Sequence, residues 1–380
     1  MDFRLSDEQQ AMRAMVREVA ERELKPRALE WERSGEFPAP NMKLLGELGI
    51  LGLSIPEEYG GAGGTWLDAA IALEEIGRCC YVTAMAVLGE VGVQSQAIVT
   101  FGTEEQKRKF LPRIARGELI CAICITEPEA GSDAGSMTTR ADEVDGYFVV
   151  NGTKAFISRG DVAELFLTYV RFGDVPGTRG VGALLIERDT PGFKVGKGEN
   201  TLGGERLFEL QFEDARVPRE NLLVREDGFK KLMGAFNGQR CLNAAICVGI
   251  AQGALDEAIA YAQQRRQFGR PIGDFQGLRW VLADMAVEIE AARLLIWRAA
   301  SNTDRGLPDQ YEAGVAKLFA NEMALRVTDK AMQIFGGHGY LKSMPPERYL
   351  RWARYGGLGG GTPHIQRNII AARLLGRSRD

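Results

Sequence analysis

Apolar residues recur every three to four positions near both ends of the chain and every second position in between. This double switch of period limits the fold more than any single motif. "LSDEQQAMRAMVREVAEREL" opens with Ser6 as a helix N-cap and Gln9 three places on, a capping box, and continues with Met12, Met15, Val16 and Val19 at helical spacing. Further helical patterns run over 42–48, 65–77 and 82–100, and Thr103 caps another in "TEEQKRKFLPRIARGE". From Leu119 the pattern becomes β: "ELICAICIT" is strand-rich, and "GYFVVNGTKAFIS" sets Asn151-Gly152 between two alternating runs, which predicts a hairpin turn there. Helical spacing returns in long amphipathic segments over 239–267, 274–303 and 309–335, with a shorter one from Thr362. The order α, β, α predicts an α+β protein: an N-terminal helical domain over 1–118, a central antiparallel β-barrel domain over 119–226 and a C-terminal four-helix bundle over 227–380.

At 380 residues the chain is long enough to build several domains around large cores. A net charge of −4 offers no basic excess to neutralise phosphates, so a nucleic-acid partner is not expected. "MDFRLSDEQQ" has no apolar stretch of the signal-peptide kind, and the apolar run at 244–254 is too short for a bilayer, so a cytoplasmic protein without a membrane span is expected. Cys121 and Cys124 form a C-x-x-C in a strand pattern, which points their thiols to opposite faces and argues against a shared metal. With His338 and His364 the only histidines, no histidine-rich metal site is expected either.

No P-loop, no G-x-G-x-x-G between strand and helix and no G-x-S-x-G elbow occurs. The glycine-rich pieces, Gly336-Gly337 and Gly359 to Gly361, instead lie beside helices, where glycine allows a partner, a neighbouring helix or a ligand, close to the backbone.

"CITEPEAGSDAGSMTTRAD", "RRQFGRPIGDFQ", "QIFGGHGY" and "GGTPHIQR" resemble, in order, the signatures of the acyl-CoA dehydrogenase family, and "IPEEYGG" and "FGTEEQKRKFLP" match as well. The resemblance spans essentially the whole chain. It implies the acyl-CoA dehydrogenase fold, bound FAD, an acyl-CoA substrate, an electron-transfer acceptor and a homotetramer. Position by position, it places Thr126 and Ser158 at the flavin edge and Phe156 over the ring, where the family more often has tryptophan. Arg265 matches an arginine for the FAD pyrophosphate, and Gln267, Phe268, Gln276, Gln333, Gly336, Gly337, Thr362 and His364 fall on cofactor positions. Ser132, Asn237, Arg240 and Gly361 fall on the CoA side, Ser132 near the cofactor as well.

The family's reaction removes an α-proton while the β-hydride passes to the flavin, and the proton needs a carboxylate. The resemblance puts Gly360 where most members carry that glutamate, and Gln239 where the others carry it. The backbone N–H at Gly360 is kept, and with it a donor for the thioester oxygen. Three readings stay open. Glu90, on a helix implied to line the acyl pocket and flanked by Leu88, Val91 and Val93, could serve as a base with a raised pKa. The bundle also resembles the 3-sulfinopropionyl-CoA desulfinase branch, which needs no base, although that branch's acid-binding arginine falls on Met85; Arg78 and Arg159 are the other candidate anion anchors. Third, the chain could be a catalytically silent flavin-binding subunit, and Trp352, where the family has aspartate, could mark altered interface packing.

Overall fold

The computed structural model describes residues 3–304 and 306–376. In chain order the helices and strands are α1 Asp7–Val19, α2 Ala28–Ser34, α3 Ala39–Glu47, α4 Trp66–Cys79, α5 Tyr81–Val91, α6 Val93–Phe101 and α7 Glu104–Ala115. Then come β1 Cys121–Cys124, β2 Arg140–Val144, β3 Tyr147–Ser158, β4 Leu165–Phe172, β5 Val181–Glu187, β6 Phe193–Asn200, β7 Arg206–Pro218 and β8 Leu222–Val224. The chain closes with α8 Gly228–Gln264, β9 Arg266–Gln267, β10 Arg270–Pro271, α9 Gln276–Ser301, β11 Thr303–Asp304, β12 Leu307–Pro308, α10 Gln310–Phe335, α11 Pro345–Arg354 and α12 Pro363–Leu374. The residues fall into two compact units. One, the helical unit, holds the chain up to Leu29, Trp66–Ala84 and everything from Asn237; the other, the sheet unit, holds Glu30–Thr65 and Met85–Phe236.

The expected capping box at Ser6 and the expected N-cap at Thr103 both form, the latter as a second capping box. Ser6 accepts from Gln9 N at the head of α1, and Thr103 accepts from Gln106 N at the head of α7. In the helical unit, α4 and α8 approach closely because α8 carries glycine at the crossing: a Cβ at Gly249 would lie 2.1 Å from Glu74 O. Buried carboxylates brace the same region. Glu75 accepts from Arg13 Nε at 2.6 Å and Arg17 Nη2 at 2.8 Å, and Glu74 from Arg293 Nε at 2.9 Å. Trp352 is fully buried within this unit, stacked on Tyr81 at 6.1 Å and edge-on to Tyr349 at 5.3 Å, so its large ring fills an internal aromatic cluster. The stretches Tyr81–Phe101 and Gly228–Gln264 are apolar and long enough to cross a bilayer, and both are mostly buried inside the protein, as core helices are.

The sheet unit centres on an eight-stranded sheet in the order β6-β7-β3-β2-β4-β5-β8, with β1 beside β4. It is an open path, not the closed antiparallel barrel expected, and β1–β4 and β2–β4 run parallel. The central strands β4 and β5 are buried on both faces, which removes the strand-wise polar alternation that signals one wet face. Residues Leu165, Leu167 and Tyr169 of β4 pack with Phe110, Leu111 and Ile114 of α7, while Phe166, Val170 and Phe172 join Phe208, Leu210 and Phe212 on the opposite face. Cys121 belongs to the first cluster and Cys124 to the second, so the two thiols do face opposite ways.

The expected hairpin at Asn151-Gly152 does not form. β3 runs straight through it, with an irregularity of register against β7 between Val150 and Gly152. A Cβ at Gly152, whose φ is +146°, would meet Thr139 Oγ1 at 2.5 Å, so glycine is there for close strand approach. The turn lies at Asp145-Gly146, where both residues have positive φ (45° and 83°) and join β2 to β3. This is the same Asx-Gly chemistry, six residues earlier.

Candidate active site

In the sheet unit, β3 leaves its regular course before its end. The register against β7 shifts between Lys154 and Ile157, and Phe156 adopts a left-handed φ of +58° with its ring 70% exposed. A bulky residue in that region costs about 1–2 kcal/mol and gains nothing in packing from an exposed ring. Such strain is characteristic of sites where a side chain is aimed at a ligand. Ala155 N donates to Thr126 O at 2.8 Å, which sets Thr126 beside Phe156, and Ser158 follows on the same strand. The segment is held from behind by a buried ion pair: Lys154 Nζ reaches Glu127 Oε1 at 2.8 Å and Ile125 O at 3.1 Å, and Glu127 also accepts from Thr138 N at 2.6 Å and Thr139 N at 2.9 Å. Despite its burial, this array of donors pulls the Glu127 carboxyl down to about 2. Ser132 lies exposed in the loop after β1.

One residue beyond Ser158, Arg159 also has a left-handed φ, +64°. Its guanidinium turns back onto α5, where Nη1 donates to Glu90 Oε1 at 3.0 Å and to Ala86 O at 3.2 Å. Glu90 Oε1 also accepts from Cys121 N at 3.3 Å. In the orientation that satisfies both ends of its amide, Gln94 accepts from Arg159 Nη2 at 2.8 Å and donates to Gly89 O at 3.1 Å. Gly89 makes the arrangement possible, since a Cβ there would stand 1.5 Å from Nη1. Glu90 is fully buried, and among the described residues its Oε2 has no hydrogen-bond partner. Burial pushes its carboxyl up to about 7, against the opposing pull of the Arg159 charge and the Cys121 N–H. The other candidate anion anchor, Arg78, is not a free cation either: its Nε donates to Asp256 Oδ2 at 2.6 Å.

In the helical unit, Asn237, Gln239 and Arg240 are buried near one another on α8; Arg240 Nη1 donates to Asn237 Oδ1, and Asn237 Nδ2 donates to Pro308 O at 3.1 Å. Arg265, Gln267 and Phe268 lie on an exposed hairpin, β9–β10, with Phe268 at φ +50° and its ring 92% exposed. Gln276 opens α9 and is exposed, as are Gln333 and His364. Gly336 has φ +58°, and a Cβ at either Gly336 or Gly337 would meet nothing within 4 Å. Among the described residues no neighbour requires glycine at Gly337, which suits a site where a ligand lies against the backbone. Thr362 caps α12 by accepting from Ile365 N at 3.3 Å.

The glycine segment before Thr362 is held by residues the sequence did not single out. Lys317 Nζ donates to Gly356 O at 3.1 Å and Gly361 O at 3.0 Å, Asn321 Nδ2 donates to Gly356 O, and Gln366 Nε2 to Gly361 O at 3.1 Å. Leu358 N and Gly359 N both donate to Tyr355 O, at 2.8 and 3.1 Å, whereas Gly360 N–H has no acceptor among the described residues. Gly360 and Gly361 have φ of +67° and +92°. Lys317 was missed because its partners are carbonyls about 40 residues away, which leave no residue-type signal.

Residues 6–118, 122–215 and 226–375 match, in that order, the N-terminal, middle and C-terminal domains of acyl-CoA dehydrogenase. A short-chain specific acyl-CoA dehydrogenase of Clostridium acetobutylicum is 43% identical over 378 residues, 99% of this chain and 100% of that one. Among solved structures, the glutaryl-CoA dehydrogenase–glutaryl-CoA complex superposes with a TM-score of 0.96 at 37% identity, covering 100% of this chain and 98% of that one. Butyryl-CoA dehydrogenase from Megasphaera elsdenii gives 0.95 at 37% identity, covering 99% and 100%.

Proposed function

The chain belongs to the acyl-CoA dehydrogenase family and is an FAD-dependent oxidoreductase of acyl-CoA thioesters; from that premise we propose that it dehydrogenates its substrate with Glu90 as the proton acceptor. The observation that carries this reading is the state of Glu90: one oxygen pinned by Arg159 and Cys121 N, the other buried with both lone pairs unused. A carboxylate so placed has a fixed direction and, with a pKa near 7, a proton affinity suited to neutral pH.

When bound, FAD would supply the acceptor for the β-hydride. The chain's own residues do the rest. Phe156 would cover the ring system, the hydroxyls of Thr126 and Ser158 would donate at its edge, and Arg265 would hold the pyrophosphate with a charge-assisted contact. Gln267, Phe268, Gln276, Gln333, Thr362 and His364 complete the cofactor's surroundings, and Gly336 and Gly337 let it approach the backbone. Ser132, Asn237, Arg240 and Gly361 orient the CoA part. The Gly360 N–H donates to the thioester oxygen, a contact whose loss typically costs about 3–4 kcal/mol of transition-state stabilisation. The α-proton passes to Glu90 Oε2. The working assembly in this reading is a cytoplasmic homotetramer served by an electron-transfer acceptor.

Base-free elimination from an acidic acyl-CoA is the weaker reading, because it requires a cation for the acid group, and both Arg159 and Arg78 are already paired with carboxylates. Anaerobic mixing with a panel of acyl-CoAs separates the cases. Dehydrogenation bleaches the flavin absorbance, an elimination releases its small product without lasting bleaching, and a silent subunit does neither. Glu90→Gln is expected to abolish bleaching while FAD stays bound; full activity in that variant would remove Glu90 from the mechanism.

A further inference from the structure

Lys317 of α10 is fully buried, and among the described residues its ammonium bonds to backbone carbonyls and not to a carboxylate. Its two partners are the carbonyls of Gly356 and Gly361, at the two ends of a six-residue segment containing five glycines. Such a segment is expensive to order, since glycine loses more backbone freedom on folding than any other residue. Gly360 and Gly361, both left-handed, are conformations that other residues would resist but glycine does not enforce. Something outside the segment must therefore hold its shape. Lys317 does so from one side, with Asn321 and Gln366 each reinforcing one of the same two carbonyls.

A methionine would fill the same volume without burying a charge, and replacing a buried charge with an apolar group is often neutral or stabilising. What the ammonium adds is direction: two N–H groups draw two carbonyls onto one nitrogen. The N–H groups of Leu358 and Gly359 are taken by Tyr355 O, whereas the N–H groups of Gly360 and Gly361 have no acceptor among the described residues; of these two, Gly360 N–H is the one the acyl-CoA reading assigns to the thioester. We propose that Lys317 is a positioning residue for the reaction, stapling the ends of the glycine segment so that Gly360 N–H is presented to the thioester oxygen. It touches no reacting atom; it acts through the backbone. The inference rests on the acyl-CoA reading above, and on Gly360 N–H as the thioester donor, but not on Glu90 as the base.

The staple is also sensitive to pH. Burial pushes the Lys317 ammonium down to about 7, with Cys247 opposing the fall and Arg240 adding to it, both from α8. A neutral amine donates more weakly than an ammonium, so the segment should loosen as pH rises through neutrality.

The test compares wild type with Lys317→Met as FAD-loaded proteins, using butyryl-CoA and S-butyl-CoA, the thioether that lacks the carbonyl. The expected result is at least tenfold weaker binding of the thioester, thioether binding within twofold, and at least a tenfold fall in kcat. Equal losses for both ligands, or no loss for either, would overturn the proposal, as would failure of wild type to bind either one. If Glu90 is not the base, Glu90→Gln keeps its turnover while the selective loss in Lys317→Met stands, so the two ideas fail separately. A second measurement needs no variant. Amide protection over 357–362 in wild type, corrected for intrinsic exchange, should fall at least threefold between pH 6 and 8.5; protection that stays flat would count equally against the proposal.

Discussion

Gly89→Ala would test the Glu90–Arg159 pair without altering either partner. A Cβ at residue 89 would stand 1.5 Å from Arg159 Nη1 and 2.2 Å from Cζ, so the guanidinium has to leave. Alanine is favoured over glycine in a helix interior by about 0.8–1.0 kcal/mol, and α5 would gain that. Against it, stripping one partner from a buried ion pair costs about 3–5 kcal/mol, giving a net loss of about 2–4 kcal/mol. The pH dependence of the loss is diagnostic. In wild type the Glu90 carboxyl is raised from its ordinary 4.5 to about 7, so the folded state holds a proton that the unfolded chain releases. Its contribution is fully present below 4.5 and is lost as pH rises through about 7. Without Arg159 the pKa rises further and the loss continues into alkaline pH, by up to about 1.4 kcal/mol per pH unit for the one proton. Urea unfolding from pH 4 to 9 should show the variant's deficit smallest in acid and largest in base, and Gly89→Ala combined with Glu90→Gln should restore most of it. The alkaline arm should appear in catalysis too, with the rise of kcat with pH shifted above 7. A variant as stable as wild type, or a deficit independent of pH, would refute the pair as drawn.

Phe156→Gly should relieve the left-handed strain at the β3 irregularity while removing the ring proposed to cover the flavin. The apo protein is expected to be no less stable than wild type by urea unfolding, and the purified protein to carry less FAD by absorbance. Gly360→Glu would return a carboxylate to the position where most of the family has one. At φ +67° it meets left-handed strain of about 1–2 kcal/mol, so a stability loss of that size is expected, and the new carboxylate should rescue turnover in Glu90→Gln only to the extent that the segment relaxes.

Much of this molecule was readable from local chemistry, because local chemistry does not depend on what comes to lie nearby. Ser6 with Gln9 and Thr103 with Gln106 cap their helices through bonds three residues long. Cys121 and Cys124 face opposite clusters because a strand's period allows nothing else. The family and the cofactor were equally legible, since they rest on residue types in order. Where a glycine's meaning depended on its neighbour, reading failed. Asn151-Gly152 has the composition of a turn, yet Thr139 packs against it and it stays in mid-strand, while Asp145-Gly146 makes the bend. The sheet's openness and its parallel pairs were likewise invisible, because strand order is set by long-range pairing and not by alternation along one strand.

The amino-acid order alone therefore determined the family and the class of chemistry, because motifs are properties of the chain itself. Only tertiary structure decided which charges meet within each unit. Glu90 meets Arg159 across 69 residues and Lys317 meets Gly356 and Gly361 across 39 and 44. Burial, which no linear pattern states, shifts one carboxyl up and one ammonium down to the same neutral range.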